Sequence, residues 1–325
     1  MKPRVLITGA SGFIGYHLII EALKQNLEVY AAIRKTSKID HLNGLDIKFT
    51  YPEFNNLSAL HKNIELNKYD YIIHAAGITS AKFDEYYNIY NAYYTYNLAR
   101  AAADSVKKFV FISSLAAIGP VVNVAEIITD KTTPYPVSSY GRSKLMAEQK
   151  LRIIPGLNYI ALRPTAVYGP RERGLFMVFK QLANHLELYI GRTEQAFTFI
   201  YVKDLAEISI NALFNEKIGM YNLCDGNVYD RYQLANITKE ILNLRTYKMY
   251  LPVTFIKLVA FLSEKIGYLT GKAAALNRDK LKELTSLNWA CEIDAAKKDL
   301  GFNPKYDLKK GLTETIKWYK EHKWL

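Results

Sequence analysis

Residues 5–15, Val5-Leu6-Ile7-Thr8-Gly9-Ala10-Ser11-Gly12-Phe13-Ile14-Gly15, pass from an apolar run through three glycines spaced G-x-x-G-x-x-G into a helical pattern. The order reads strand, turn, helix. In such a turn one glycine permits the tight bend, one lets backbone approach a pyrophosphate, and one lets the helix pack close to the strand. Free amides and the dipole at the helix N-terminus favour phosphate. Gly9, Gly12, Phe13, Ile14 and Gly15 are therefore the expected cradle of a dinucleotide. A glycine-rich turn also occurs without a ligand, and the rest of the chain must separate the two.

Strand-like runs recur at 4–8, 28–33, 46–50, 70–74, 108–113 and 158–163, with helix-length segments between most of them. That alternation predicts parallel β-α-β units, and hence an α/β fold: a Rossmann-like, doubly wound sheet with ligands beyond the carboxyl ends of its strands. With 325 residues, 50% of them apolar, the chain can bury one large core or two smaller ones. Cys224 and Cys291 are its only cysteines, too few for a disulfide framework or a cysteine metal site, which fits a reducing compartment. No metal is expected. Lys2 and Arg4 precede an apolar run, but glycines interrupt it and no small-residue cleavage site follows, so the expectation is a cytoplasmic protein. The net charge of +12 comes from scattered residues, the densest clusters being 34–38 and Lys309-Lys310. That is a solvated basic surface suited to an anionic cofactor, with no nucleic-acid or membrane partner expected.

The second strand ends Ala31-Ala32-Ile33-Arg34-Lys35. A fold that takes NAD usually shows a carboxylate there for the ribose 2′-hydroxyl. Here Ile33 stands in its place and Arg34, Lys35 and Lys38 follow, donors suited to a 2′-phosphate. NADP is favoured over NAD. After the third strand, Glu53 in the turn at 51–56 is expected to accept from the adenine amino group, with Phe54 beside it. After the fourth, Ala75, Ala76 and Gly77 are small enough for backbone to come near the cofactor. His74 reads as a structural histidine closing a buried strand. Within the helical segment 82–105, Tyr86, Tyr90, Tyr93 and Asn97 share a face at i, i+4, i+7 and i+11. A second aromatic stripe facing water predicts a partner helix, and so a homodimer through this segment.

The fifth strand ends Phe111-Ile112-Ser113-Ser114, and Tyr140-Gly141-Arg142-Ser143-Lys144 starts a helix 26 residues beyond Ser114. Tyr140 and Lys144 share a helix face. Moving a hydride to or from a carbinol carbon requires a proton to join or leave its oxygen, and a phenol can do this if its pKa falls from about 10. The Lys144 ammonium and a positive nicotinamide are expected to favour the phenolate, Ser114 to hold the substrate oxygen, and Lys144 to hold the ribose hydroxyls.

The chain resembles the extended short-chain dehydrogenase/reductases of the NAD-dependent epimerase/dehydratase family. The matching pieces are 8–15, 70–77, Asn91, Asn97, 111–119, 140–144, Leu162-Arg163-Pro164, 167–170 and 199–205. The resemblance implies Ser114, Tyr140 and Lys144 as the catalytic set, and Pro164 to Val167 lining the nicotinamide. It also implies a homodimer through helices 82–105 and 139–152. The dinucleotide domain would span 1–170 with return segments near 197–223, and a smaller substrate lobe would take 171–196 and 224–325. Family dehydratases carry Asp-Glu after the catalytic hydroxyl, where this chain has Leu115 and Ala116, so dehydration by that route is disfavoured. Sugar-nucleotide epimerases usually place Asn at Ala166 and a phosphate-binding Arg at Phe197; both are missing, although Arg171, Arg173 and Arg192 remain as anion donors. The Arg-ended second strand and Arg163-Pro164 are also similar to dihydroflavonol reductases and 3β-hydroxysteroid dehydrogenases. An NAD(P)-dependent oxidoreductase for a secondary alcohol is expected, with a sugar-nucleotide epimerase that keeps its NAD bound as the alternative. Lys257, Glu264 and Lys265 interrupt the apolar segment 251–271 and Gly267 follows, so no membrane span is expected there, and a packed lid helix is favoured over a membrane-surface helix. The last helix is expected to open at Gly311.

Overall fold

Val5, Leu6 and Ile7 are all fully buried, yet Val5 and Ile7 belong to one hydrophobic cluster and Leu6 to another. A run that is apolar at every position, not at alternate ones, is what a parallel strand covered by helices on both faces requires. The computed structural model, which describes residues 2–270 and 276–325, builds its main sheet on this pattern.

In chain order the first half holds β1 (Arg4–Thr8), α1 (Phe13–Lys24), β2 (Glu28–Ala32), β3 (Ile47–Thr50), α2 (Leu57–Asn67), β4 (Tyr71–His74), α3 (Asp84–Tyr87), α4 (Tyr94–Ala102), β5 (Lys108–Ile112), α5 (Ser139–Arg152) and β6 (Tyr159–Pro164). Then follow β7 (Ala166–Tyr168), α6 (Phe176–Ala183), β8 (Leu186–Ile190), β9 (Ala196–Phe197), β10 (Phe199–Tyr201), α7 (Val202–Asn211) and β11 (Gly219–Leu223). The remainder is β12 (Tyr229–Asp230), α8 (Gln233–Leu242), β13 (Tyr247–Leu251), α9 (Val253–Thr270), α10 (Arg278–Thr285), α11 (Asp294–Leu300) and α12 (Leu308–Glu321).

Seven strands form the main sheet in the order β11-β6-β5-β4-β1-β2-β3. Every pairing is parallel. Leu18, Ile19, Leu205 and Ile208 of α1 and α7 cover one face, and Leu60, Leu98, Ala147 and Leu151 of α2, α4 and α5 cover the other. The chain reverses direction across the sheet between β1 and β4, and such a switch point opens a crevice beyond the strand ends. Thr8 pairs with His74 there, which puts the glycine turn against Ala75-Ala76-Gly77.

The segment expected as one helix over 82–105 contains a π-helical turn, Asn88–Tyr93, between α3 and α4. The wider turn rotates the face that follows. Tyr86, Tyr90 and Tyr93 are exposed, whereas Asn97 turns inward, its Nδ2 donating to the Phe54 carbonyl at 2.9 Å. The segment 251–271 starts differently from expectation: Leu251 closes β13, which pairs with β8, and the helix begins only beyond Pro252. Proline favours extended backbone in the residue before it. Gly271 lies outside the described residues. Gly311 does not open α12; it lies in its first turn, where a Cβ would meet the Tyr168 hydroxyl at 2.1 Å. That close approach, with Tyr168, Phe179, Phe199, Tyr201 and Tyr319, makes a separate aromatic core beside the main sheet.

Candidate active site

Gly9 has φ +68°, and a Cβ on it would lie 2.7 Å from the Ala75 carbonyl oxygen; at Gly15 a Cβ would lie 2.1 Å from the Gly9 oxygen. Both clashes are with backbone, so only glycine lets the loop after β4, the turn after β1 and the first turn of α1 come together. Gly12 caps α1 without a side-chain hydrogen bond, and the first turn carries no acid. Phe13, Ile14 and Gly15 thus present helix-start amides with no side-chain acceptor, as a pyrophosphate cradle requires. His74 closes β4 as a structural group. Its Nδ1 lies 2.7 Å from Thr8 Oγ1 and its Nε2 2.9 Å from Thr95 Oγ1, while Thr8 Oγ1 accepts from Ala76 N at 3.0 Å. Burial pushes this imidazole down to about 3, with Lys144 adding to the effect.

Ser114 ends the run out of β5, and its Oγ accepts from Ala116 N at 3.2 Å in a short 3₁₀ turn. The same hydroxyl hydrogen-bonds the Tyr140 phenol. The approach depends on Gly141, where a Cβ would strike the Ala116 carbonyl oxygen at 2.3 Å. One turn on, Lys144 is 4% exposed; its Nζ donates to the Ile112 carbonyl at 2.8 Å and lies 4.7 Å from the centre of the Phe111 ring. A Cβ on Gly77 would come within 3.6 Å of that ammonium. Ser114, Tyr140 and Lys144 are therefore brought together at the carboxyl ends of β4 and β5.

The electrostatics differ from the simple expectation. Burial raises the Tyr140 phenol well above its ordinary value, Glu283 and Tyr87 add to the rise, and only the Ser114 hydrogen bond opposes it. Burial likewise pushes Lys144 down to about 8, against the pull of Glu148. The protein alone holds the phenol protonated, because desolvation of the charged form outweighs the Ser114 hydrogen bond.

Several supporting residues had no role assigned from the sequence, Asn91 and Arg163 entering it only as matching pieces of the family pattern. Asn91, in the π-helical turn, accepts from Ile78 N at 2.7 Å and donates to Ile78 O and Ser143 Oγ, both at 3.0 Å, pinning the loop after Gly77 to the helix of Tyr140. Glu148, one turn beyond Lys144, accepts from Ser113 Oγ at 2.6 Å and from Arg163 Nε and Nη2 at 2.9 and 2.7 Å. This buried fork joins β5, α5 and β6 behind the site. At the start of α5, Ser138 Oγ accepts from Gly141 N and donates to Glu283 at 2.6 Å, and Ser139 N donates to Asp279 at 2.7 Å. Asp84 accepts from Ser139 Oγ at 2.8 Å. Three carboxylates thus face the positive end of the helix that carries Tyr140, two of them from α10.

Pro164 is buried at the end of β6 and Val167 half-buried in β7, while Ala166 between them is exposed. Arg34, Lys35 and Glu53 are exposed at the ends of β2 and β3, and Phe54 is half-buried, stacked on Tyr94 at 6.0 Å. The three candidate anion donors do not converge. Arg171 lies over Tyr16 and Trp318, Arg173 over Trp324 and Arg192 over Tyr250.

Known proteins share this architecture. The chain is 26% identical to N-acetyl-alpha-D-glucosaminyl-diphospho-ditrans,octacis-undecaprenol 4-epimerase of Escherichia coli O157:H7 over 98% of its own length and 96% of that protein. It is 25% identical to ceramide reductase of Caulobacter vibrioides, over 99% of this chain and 96% of the relative. The crystal structure of UDP-glucose 4-epimerase from Thermotoga maritima with UDP-glucose superimposes with a TM-score of 0.80 at 22% identity, covering 98% of this chain and 99% of that one. The sequence model of the NAD dependent epimerase/dehydratase family matches residues 5–224, a span that holds both the glycine turn and the Ser114, Tyr140 and Lys144 cluster, and the chain belongs to that family.

Proposed function

We propose that the chain is an NAD(P)-dependent oxidoreductase that interconverts a secondary alcohol and a ketone, with Tyr140 as general acid and base. The observation that carries this is the convergence of Ser114, Tyr140 and Lys144 beside the glycine turn. The dinucleotide supplies or accepts the hydride when bound. Tyr140 gives a proton to the carbonyl oxygen in reduction and removes it from the alcohol in oxidation. Ser114 Oγ, already a partner of that phenol, holds the same oxygen. Lys144 keeps one donor on Ile112 and offers the others to the nicotinamide ribose. Burial holds the phenol protonated, so a proton is in place for transfer to a carbonyl oxygen.

Gly9, Gly12, Phe13, Ile14 and Gly15 would take the pyrophosphate, Ala75, Ala76 and Gly77 its flank, Glu53 and Phe54 the adenine, and Pro164 and Val167 the nicotinamide. Arg34 and Lys35 at the end of β2, with no carboxylate beside Ile33, favour NADP over NAD. The substrate would lie between the dinucleotide part, 1–170 with 197–223, and the lobe of 171–196 and 224–325. Ala166 and Phe197 offer no polar handle for a nucleotide, and two relatives are named for a ceramide and an undecaprenol compound. An alcohol on an apolar skeleton fits better than a nucleotide sugar. We read the enzyme as a homodimer through 82–105 and 139–152, in a reducing compartment, the cytoplasm, where the free thiols of Cys224 and Cys291 stay reduced.

An epimerase that retains NAD is the second reading, favoured by the relatives that bear that name. Denaturing fresh protein and weighing what is released separates the two: near-stoichiometric NAD supports the epimerase, little or no dinucleotide the reductase. Tyr140→Phe tests the chemistry. Turnover of apolar secondary alcohols and ketones with NADP should vanish while dinucleotide affinity stays within a few-fold, and retained turnover would refute the mechanism.

A further inference from the structure

α9 is apolar on two faces and only one of them is covered. Ile256 and Ala260 pack inward with Leu281 of α10 and with Ile190 and Leu251 of the β8–β13 pair. Phe255, Leu258, Leu262 and Ile266 point outward, 52%, 54%, 50% and 61% exposed, and Val259 lies among them. At helical spacing these five fall within an arc of about 100°. The outward arc contains no charge. Lys265 borders it, and beyond Lys265 on the same flank come Phe261 and Lys257, all exposed. Lys265 Nζ and the Arg278 guanidinium both lie over the Phe261 ring, at 5.6 and 5.7 Å. The helix has one acidic residue, Glu264, and it is bound by Arg278 at 2.7 Å on the lobe side.

We infer that α9 is a membrane-surface helix that seats the substrate lobe on an anionic lipid bilayer. An uncharged apolar stripe bordered by aromatic and basic residues is the pattern of a helix lying in the plane of the interface, its apolar face among the acyl chains and its cations among the headgroups. No described helix is long and apolar enough to span a membrane, so the contact is peripheral. Charge selects this occupant over a second copy. Lys257 and Lys265 carry no ion pair among the described residues, and the one acid of the helix, Glu264, is taken by Arg278, so a second copy of the helix would offer them no free anion, whereas anionic headgroups neutralise them.

The position of the helix gives the contact a use. α9 packs on α10, and α10 supplies the Asp279 and Glu283 carboxylates that hold the start of the Tyr140 helix. A bilayer under α9 is thus one helix removed from the helix of Tyr140. The inference does not rest on the oxidoreductase reading, because lipid binding is measured without turnover.

The test is co-sedimentation of the whole protein with phosphatidylcholine vesicles, with and without phosphatidylglycerol, alongside sedimentation velocity without lipid. Wild type should bind, more tightly with phosphatidylglycerol and less at high salt. L258E/L262E should bind at least about tenfold more weakly, as two apolar groups leave the interface. K257E/K265E should lose the preference for phosphatidylglycerol by about thirtyfold, two cations being removed from the headgroups. Both pairs are exposed, so circular dichroism should match wild type. Wild-type protein that ignores vesicles, or L258E/L262E that binds as well as wild type, overturns the inference. So does an L258E/L262E variant of lower mass in sedimentation velocity, which would make the stripe a protein interface.

Discussion

Two residues show how far side-chain identity decides the site. Tyr140 has its hydroxyl on Ser114 and an ammonium one helical turn away, yet its surroundings raise its pKa, because burial and the Glu283 carboxylate penalise the phenolate. Chemical type therefore names the group, while its neighbours decide which protonation state it holds. Arg34 is the converse: exposed, it is informative through where it stands. It follows buried Ile33 at the end of β2, where a carboxylate would repel a 2′-phosphate and a guanidinium would bind it in a fork. Arg34→Ala is expected to weaken NADP by about tenfold or more, the worth of one charge-assisted hydrogen bond, and NAD by no more than a few-fold. Fluorescence titration with both nucleotides checks this, and equal weakening would remove the 2′-phosphate role.

At the scale of elements, the helical segment from α3 to α4 does two jobs on opposite faces. Inward, Asn91 in the π-helical turn spends its amide on Ile78 and Ser143, coupling the loop after β4 to α5. Outward, Tyr86, Ile89, Tyr90 and Tyr93 stand exposed, and Lys150 of α5 lies 4.3 Å from the centre of the Tyr93 ring. The aromatic spacing was legible in the sequence, but the π-helical turn was not, since an extra residue in one turn leaves no compositional mark. It moved Asn97 off the stripe and onto the Phe54 carbonyl. In the proposed homodimer, these aromatic rings beside α5 would meet the same two helices of a second copy about a two-fold axis. Tyr86→Glu with Tyr93→Glu should therefore yield monomer in sedimentation velocity, with circular dichroism unchanged. A dimer that survives both charges would place the interface elsewhere.

Across the whole molecule, the sheet was readable because buried parallel strands must be apolar at every position, so all six expected strands are present. The smaller sheets were less so. β9 and β12 have only two residues each, β8 and β13 are largely exposed or half-buried, and the pairing of all four depends on partners far along the chain. Ser114, Tyr140 and Lys144 could be picked out because the proposed hydride chemistry calls for those types, and the fold brings the three together. Glu148, Asp279 and Glu283 were not, because a carboxylate that serves the site by packing behind it looks like any other.

The same packing sets the response of the fold to acid. His74, between β1, β4 and α4, is pushed down to about 3, and His17, bonded to the Pro170 carbonyl, to about 4, both first by burial. An unfolded histidine takes its proton near 6.5, so below that the unfolded state binds two protons that the folded state refuses, and stability falls with pH. Asp204 acts in the opposite sense: burial raises it to about 6, so the folded state takes up its proton first. His41 is lowered by burial as well and acts with the two histidines, while Asp130, Asp225 and Asp279 are raised by burial and act with Asp204, so His74 is one of several groups that set the slope. The excess of cations, 43 Lys and Arg over 31 Asp and Glu, adds self-repulsion in the same direction as the histidines. His74→Gln keeps hydrogen-bonding capacity for Thr8 and Thr95 but cannot titrate. Urea midpoints of wild type and His74→Gln should therefore converge as the pH drops from about 7 to about 5, the variant losing less. Parallel loss in the two proteins would mean that His74 is not what acid attacks.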